Sequence, residues 1–247
     1  MSLARQSVNS LPWFIANDMP GIGEEFVLLP EEGRHATGSK RMGTGDRFCL
    51  FDGNGTLGLG EIRSIAAKRT IARCEEVWFV PAPSQHLVLA AALPKGDRLN
   101  VMLSMGAQLG MSEFIALQCE RGVAAPGRNF QRRAARVLVE ACKQSRRARV
   151  PSIASPRRLF ELAAESAGEL LVADRSGAPI AELADQLHDT DDRIIAAIGP
   201  EGGFTDAELG AARQAGATIC SLGEATLRIE TAAAAVLAWL AIIRMDR

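Results

Sequence analysis

The sequence predicts an α/β protein in two domains, a small β-rich domain at residues 1–80 and a larger α/β domain at residues 81–247. Short strand-like runs and turns dominate the first part, and a proline-rich linker at residues 80–84 ends it. Beyond the linker, apolar strands alternate with helical patterns. Such alternation is typical of a mainly parallel sheet with helices on both faces.

The N-terminal part carries the pattern of a small β-barrel or sandwich. Strand-like runs lie at residues 25–29, 47–51 and 70–73, and Asp52-Gly53-Asn54-Gly55 predicts a hairpin turn. This part also contains four basic residues, Arg34, His35, Lys40 and Arg41. They either contact a polyanion or lie in a solvated loop.

The second part is predicted to hold five strands, at residues 87–93, 113–117, 170–173, 194–198 and 218–222. Helices are predicted at about residues 97–109 and 129–147. Another is expected to begin with Ser155 as N-cap and Pro156 as N1 and to end at Gly168. Thr205 and Glu208 form a capping box that starts a further helix. Residues 232–243 are wholly apolar, but only about half as long as a membrane span, which favours a buried helix.

Composition narrows the functional class. Hydrophobic residues make up 47% and charged residues 23%, as in an ordinary soluble domain. The five cysteines are scattered and form no C-x-x-C pair, which predicts no disulfide, no metal site and a reducing cytoplasm. The N-terminus lacks the continuous apolar core of a signal peptide.

Charge is distributed unevenly along the chain. Residues 121–158 contain eleven basic residues and one acidic residue, Glu140, so this segment carries +10 while the rest of the chain carries −11. On the helix predicted within this segment, one face would present Arg132, Arg136, Lys143, Arg146 and Arg147. The face indicates binding to a phosphate backbone, although an ordinary solvated face remains the alternative.

Two glycine-containing segments follow neighbouring predicted strands. The first is Gly199-Pro200-Glu201-Gly202-Gly203, and the second includes Leu222-Gly223. Neither has the Lys-Ser/Thr of a phosphate-binding loop, which disfavours a nucleotide-hydrolysing enzyme, and neither is a G-x-G-x-x-G motif. Loops at adjacent strand ends form a crevice of the kind in which ligands bind in open α/β sheets.

The ordered motifs closely resemble the SPOUT-superfamily 16S ribosomal RNA uridine-N3 methyltransferases over nearly the whole chain. The motifs that carry the resemblance in the second part are Leu93-Pro-Lys-Gly-Asp97, Gln108-Leu-Gly110, Glu120-Arg121, Glu140-Ala141, Gln144-Ser-x-Arg147, the stretch from Ile198 to Thr205, Leu222-Gly223 and Leu227-Arg-x-Glu-Thr-Ala232. Those in the first part are Arg34-His35, Arg41, Gly45-Asp46 and Phe51-Asp-Gly53.

The resemblance implies an N-terminal PUA-like RNA-binding β-barrel and a C-terminal SPOUT domain with a deep trefoil knot over about residues 168–247. It implies a homodimer acting on 16S ribosomal RNA or the assembled 30S subunit, without membrane or metal. S-adenosylmethionine would be bound by Leu171, Ala173, Ile198, Gly199, Pro200, Gly202, Gly203, Leu222, Gly223 and Leu227. RNA would be contacted by Arg34, His35, Arg41, Lys95, Arg121, Arg132, Arg136, Lys143, Gln144 and Arg147.

The chemistry of uracil N3 suggests three catalytic residues. The N3 proton must leave, and a fixed cation would stabilise the charge that develops on the flanking carbonyl oxygens. Arg228 is the candidate cation, and a salt bridge to Glu230 is its structural alternative. Glu201 and Glu230 are candidate proton acceptors, and Glu230 could equally favour the start of the last helix by its charge.

The sequence also departs from this family. Ala225 stands where the family usually has an Arg, Ala36 where it has a second His, and Gln108 where a Glu is common. These differences keep a second reading open, a non-catalytic RNA-binding or ribosome-assembly factor with the same fold.

Overall fold

The computed structural model describes residues 8–66, 69–165, 168–188 and 193–243. The chain divides into two compact units. The first is Met1–Ala82 together with Cys142–Val150, and the second is Pro83–Ala141 together with Pro151–Arg247. Cys142–Val150 therefore lies in the first unit, although the predicted boundary at residue 80 places it in the second domain.

The first unit is built on a five-stranded sheet. Its strands are β1 (Trp13–Ile15), β2 (Glu25–Val27), β3 (Arg47–Phe51), β4 (Thr56–Ala66) and β5 (Arg69–Phe79), in the order β1-β3-β4-β5-β2. β1 runs parallel to β3, and the other pairs are antiparallel. The predicted hairpin turn is confirmed, because Asp52 Oδ1 accepts hydrogen bonds from the backbone N–H groups of Asn54 (2.7 Å) and Thr56 (2.9 Å).

A helical segment contains the basic residues for which contact with a polyanion and a solvated loop were the two alternatives. Helix α1 (Pro30–Arg34) begins with a proline and continues into a π-helical turn, His35–Ser39. Ala36 in this turn is buried in a core with Phe14, Phe48 and Ile62. Burial of Ala36 therefore holds the segment against the sheet.

The second unit is built on a seven-stranded sheet in which all described pairs are parallel. Its strands are β6 (Leu87–Ala91), β7 (Glu113–Gln118), β8 (Ser152–Ile153), β9 (Arg157–Arg158), β10 (Glu169–Pro179), β11 (Ile194–Ile198) and β12 (Thr218–Ser221). The order is β12-β10-β11-β6-β7-β8, and β9 also pairs with β7. Every residue of β6 and β11 is buried, which explains why these strands are continuous apolar runs.

In the described part of the chain, the α-helices after β6 are α2 (Arg98–Gln108), α3 (Phe130–Ser145), α4 (Leu159–Glu165), α5 (Ala184–His188), α6 (Asp206–Gln214) and α7 (Ile229–Ile243). The last residues of α3, from Cys142 onwards, belong to the first unit. In the part of the chain that the structure describes, no helix combines the length and the apolar character needed to cross a bilayer.

Two boundaries differ from the prediction, and two strands of the first unit were not predicted. The helix expected from Ser155 begins at Leu159, because Arg157–Arg158 pairs with Leu117 and Gln118 as a strand. β10 continues beyond Ala173 to Pro179, with a shift of register against β12. The strands β1 and β4 had not been predicted, since the glycines of β4 interrupt its apolar pattern.

Candidate active site

A pocket of about 310 Å³ lies beside the middle of β10, where β11 and β12 end. Its walls come from three segments, which begin at Ala173 in β10, at Ile198 at the end of β11 and at Leu222 after β12. Each strand delivers its segment to the same edge because the three strands run parallel. Crevices at the carboxyl ends of parallel strands are the usual ligand sites of open α/β sheets.

The loop after β11, residues 199–203, is the glycine loop. Gly203 has a φ of 69°, a left-handed conformation in which a side chain would be strained. A Cβ on Gly199 would lie 3.0 Å from the ring of Phe204, so glycine allows this ring to pack under the loop. The capping box is confirmed: the Thr205 hydroxyl accepts a hydrogen bond from the Glu208 N–H, and the Glu208 carboxylate accepts one from the Thr205 N–H.

The loop after β12, residues 222–227, forms the opposite wall. Gly223 has a φ of 129°, and its N–H donates to the Ser221 hydroxyl at 3.3 Å. The backbone groups of Leu222 and Leu227 form no hydrogen bond with any other residue that the structure describes. Both residues line the pocket, so unused donors and acceptors lie beside apolar side chains.

The third wall is the irregular part of β10. Asp174 and Arg175 line the pocket directly after Ala173, where the pairing of β10 with β12 shifts register. Gly177 passes so close to β12 that a Cβ there would lie 2.3 Å from the carbonyl oxygen of Ile219. The strand therefore bends past its neighbour only because residue 177 has no side chain.

Of the ten residues predicted to bind the methyl donor, all but Leu171 line this pocket. Leu171 is 2% exposed and lies within β10, paired in register with Ala196 and Thr218. Both residues lie on the same face of β10, because they are two positions apart. Leu171 lies within the regularly paired part of the strand, whereas Ala173 is the last residue before the register against β12 shifts.

Arg121 was predicted to contact RNA, and the structure places it at the pocket. Its Nη1 donates to the carbonyl oxygen of Gly202 at 2.9 Å and to that of Phe204 at 3.4 Å. Arg121 therefore holds the glycine loop through the main chain.

Glu201 and Glu230 both face a residue that the sequence analysis had not selected, Arg98. The Arg98 Nη1 atom lies 3.3 Å from Glu201 Oε1 and 3.9 Å from Glu230 Oε2. Glu201 lines the pocket, whereas Glu230 is 8% exposed and lies in the first turn of α7. Only the contact with Glu201 is short enough for a hydrogen bond.

Arg228 is exposed and lies between Leu227 and Ile229, both of which line the pocket. Among the described residues it forms no ion pair, and the salt bridge to Glu230 considered as its alternative is not formed. Its guanidinium is therefore available to a ligand beside the pocket.

The residues predicted to contact RNA fall into two groups. Exposed positions are Arg34, Arg41, Lys95, Arg132, Arg136 and Gln144. His35 and Arg147 are partly buried. The ring of His35 lies 6.1 Å from that of Phe14, and burial lowers the pKa of Arg147.

The predicted position of Lys143 on an exposed positive face is wrong. Lys143 is 7% exposed and forms an ion pair with Glu32, which is 5% exposed. The periodicity of α3 distinguishes two faces but not what covers them, and from Cys142 onwards the helix packs within the first unit.

Several residues of the site were not predicted from the sequence. Asp174, Arg175 and Thr226 line the pocket, and Arg98 contacts two of its acidic neighbours. Asp174 and Arg175 directly follow a predicted strand end, which is the signal that would have found them. Nothing in the local sequence links Arg98 to Glu201, because 103 residues separate them.

A parallel sheet with a glycine-lined pocket at its carboxyl edge defines an α/β protein that binds a small ligand. A family model described as an RNA methyltransferase domain matches residues 81–241, and one described as an RNA methyltransferase PUA domain matches residues 28–73. The chain therefore belongs to the RNA methyltransferase family.

Relatives and solved structures agree with this assignment. The chain is 30% identical over 241 residues to the ribosomal RNA small subunit methyltransferase E of Mycobacterium bovis, covering 93% of this chain and 91% of the relative. It is 31% identical to the protein of the same name from Synechocystis, over 80% of this chain and 66% of that one. A methyltransferase from Legionella pneumophila, solved in complex with S-adenosylmethionine, superposes with a TM-score of 0.83 at 25% identity, covering 93% of this chain and 96% of that chain.

Proposed function

We propose that this protein uses S-adenosylmethionine to methylate N3 of a specific uridine in the 16S ribosomal RNA of the small subunit. The observation that carries the proposal is the pocket formed by the middle of β10 and the loops after β11 and β12, in a chain of the RNA methyltransferase family. The name shared by its relatives, ribosomal RNA small subunit methyltransferase E, supports the substrate class.

The residues of the pocket fit S-adenosylmethionine. Ile198, Leu222 and Leu227 offer apolar surface for an adenine ring, and the unused backbone groups of Leu222 and Leu227 suit its hydrogen-bonding edge. The volume of about 310 Å³ falls within the usual range for small-molecule sites. When bound, S-adenosylmethionine supplies an electrophilic methyl group.

The target atom decides what the other residues must do. Uracil N3 lies on the Watson–Crick edge, so the uridine must be unpaired or turned out of its helix. We assign to Arg228 the stabilisation of charge on the uracil carbonyl oxygens, because this guanidinium is exposed beside the pocket. Of the two candidate proton acceptors, Glu201 is favoured over Glu230 because only Glu201 lines the pocket.

RNA would be held by basic side chains outside the pocket. Arg132 and Arg136 lie exposed on α3, and Arg34, Arg41 and Lys95 are exposed elsewhere. Such side chains bind phosphates irrespective of sequence and orient the substrate, whether it is free 16S ribosomal RNA or the 30S subunit.

The proposal includes a trefoil knot over about residues 168–247, a homodimer and a cytoplasmic location, where ribosomal RNA is modified. The resemblance to the SPOUT superfamily supports the knot, and the strands of this stretch, β10, β11 and β12, are neighbours in the sheet.

One experiment tests the modification. N3-methyluridine is mapped in 16S ribosomal RNA from cells with and without the gene, and from deletion cells complemented with wild type or Arg228→Ala. One N3-methyluridine should disappear on deletion and return with the wild-type gene. With Arg228→Ala it should stay absent or reach only a small fraction of the wild-type level, because loss of the cation should slow methyl transfer at least roughly 100-fold. An unchanged map in the deletion strain would contradict the proposal.

A second candidate is a non-catalytic RNA-binding or assembly factor. It is favoured by Ala225, which lines the pocket at the position where the resembling family usually has an Arg. Purified protein distinguishes the two, because this candidate predicts RNA binding without methyl transfer from labelled S-adenosylmethionine.

A further inference from the structure

Arg98 lies at the meeting point of two walls of the pocket. It is the first residue of α2, and its Nε donates to the carbonyl oxygen of Lys95 at 3.3 Å. Its Nη1 contacts Glu201 in the glycine loop and approaches Glu230 in the first turn of α7. α7 directly follows the loop at residues 222–227, so one guanidinium reaches both segments that close the pocket.

We infer that Arg98 is a positioning residue that fixes the glycine loop relative to the start of α7. In this way it presets the shape of the methyl-donor pocket before the ligand binds. The identity of the ligand rests on the proposed function, whereas the restraint on the loop does not.

The glycine loop needs anchors from outside itself. Three of its five residues are glycines, which lose more conformational freedom on ordering than any other residue. Arg121 holds the loop through the carbonyl oxygen of Gly202. Glu201 has the only polar side chain of the loop, and Arg98 is its hydrogen-bonding partner. The two arginines therefore restrain the loop from different segments, one through its main chain and one through a side chain.

Arg98 also compensates the charge of the buried Glu230 carboxylate. The Glu230 Oε2 atom is buried and has no hydrogen-bond partner in the described part of the chain, and Arg98 is the cation within 4 Å of it. A buried carboxylate needs a compensating charge nearby. A planar guanidinium can serve two carboxylates at once, which the single ammonium group of a lysine does less well.

The test compares wild type with Arg98→Gln, Arg98→Lys and the control Arg133→Gln. Arg133 is a matched control because it forms a surface ion pair with Asp97, next to Arg98, at 3.1 Å. In the ligand-free protein, hydrogen exchange is measured at the Gly203 N–H, which is bonded to the Pro200 carbonyl oxygen. Exchange there should be at least about 10-fold faster in Arg98→Gln, intermediate in Arg98→Lys and unchanged in Arg133→Gln.

Binding of S-adenosylmethionine is measured on the same variants by calorimetry. Arg98→Gln should raise the Kd at least about 10-fold, and KM for the donor should rise with it while kcat changes less. Adding Glu201→Gln to Arg98→Gln should weaken binding little further, since both substitutions remove one contact.

The outcomes separate the inference from the proposed function. Wild-type exchange at Gly203 in Arg98→Gln, equal acceleration in Arg133→Gln, or fully additive effects with Glu201→Gln would each overturn the role of Arg98. A wild-type protein that binds no S-adenosylmethionine would instead overturn the proposed donor, and the exchange measurement would still decide the role of Arg98.

Discussion

Gly203 shows how a single residue can determine the shape of the pocket. Its φ of 69° is strained for any side chain, although a Cβ there would meet no atom closer than 4.0 Å. We expect Gly203→Val to distort the glycine loop and to weaken S-adenosylmethionine binding at least about 10-fold, because β-branched residues tolerate this conformation worst.

Gly216 provides the control for this prediction. It has a φ of 91°, follows α6 and does not line the pocket. Gly216→Val should cost a similar stability, about 1–2 kcal/mol, without changing the Kd. The prediction is tested by calorimetry together with thermal unfolding, and an unaltered Kd for Gly203→Val would exclude the loop from the donor site.

The ion pair between Lys143 and Glu32 is predicted to affect stability rather than RNA binding. Both side chains are buried in the first unit, so Lys143→Met would leave the Glu32 carboxylate without its partner. The expected loss is about 3–5 kcal/mol in the free energy of unfolding in urea. The double variant Lys143→Met with Glu32→Leu should recover most of that loss, and additive losses would contradict the role of the pair.

At the residue scale, the sequence revealed what is local and missed what is long-range. Gly199, Gly203 and Gly223 could be selected because glycines directly after apolar strands indicate a ligand edge. Arg98 could not be selected from the sequence, because it comes close to Glu201 and Glu230 only when α2, the glycine loop and α7 pack together. Lys143 was misassigned for the related reason that α3 periodicity does not reveal Glu32 on a distant segment.

Among the helices, α3 carries the clearest prediction about RNA. Arg132 and Arg136 are exposed one turn apart on it, and Glu140 is the one acidic residue of the helix itself. The pair Arg132→Glu and Arg136→Glu should weaken binding to 16S ribosomal RNA about 10-fold or more. It should also lower the slope of log K against log salt by about 1.5 to 2, for two lost phosphate contacts.

A variant of equal charge change controls for net charge. Arg47→Glu with Arg63→Glu alters two exposed residues of β3 and β4 that pair with Glu75 and Glu61. Filter binding or fluorescence anisotropy over a range of salt concentrations compares the two variants. If both weaken binding and alter the salt slope equally, the effect is one of total charge and α3 is not a binding face.

At the element scale, the type of element was predicted better than its boundaries. Long apolar runs such as β6 and β11 were found because a buried parallel strand has no polar face. The helix at Ser155 was placed too early, since a capping signal competes with strand pairing that only the folded sheet provides. β4 was missed because Gly58 and Gly60 make room for Met19 and Phe48, and this packing is not visible in sequence.

For the whole molecule, the alternation of strands and helices predicted a mainly parallel sheet, and the described strand pairs confirm it. Alternation could not predict the order β12-β10-β11-β6-β7-β8, which depends on tertiary crossovers rather than on local pattern. Nor could it show that Cys142–Val150 rejoins the first unit. The pocket depends on this order, because it places β10 between β11 and β12 and so brings residues 173–175 beside the loops that follow those two strands.

Buried free cysteines in both units make the free energy of unfolding depend on pH in the alkaline range. Burial raises the pKa of Cys49 and Cys119 to about 12 and that of Cys142 and Cys220 to about 11, from 9.0. Above about pH 9 the unfolded chain therefore loses thiol protons that the folded protein keeps. Because the folded state then binds more protons, the free energy of unfolding must fall as pH rises from about 9 to about 11.

We expect this fall to reach at most about 1.4 kcal/mol per pH unit for each fully buried thiol. Urea unfolding at about pH 8 and about pH 10 measures it for wild type, Cys49→Ala and Cys220→Ala, one variant in each unit. The chain has no tyrosine, so the remaining alkaline titration comes mainly from lysines that all three proteins share. Each variant should lose less stability between the two pH values than wild type does, whatever its stability at pH 8. Equal losses in all three proteins would show that these thiols do not control the alkaline limit.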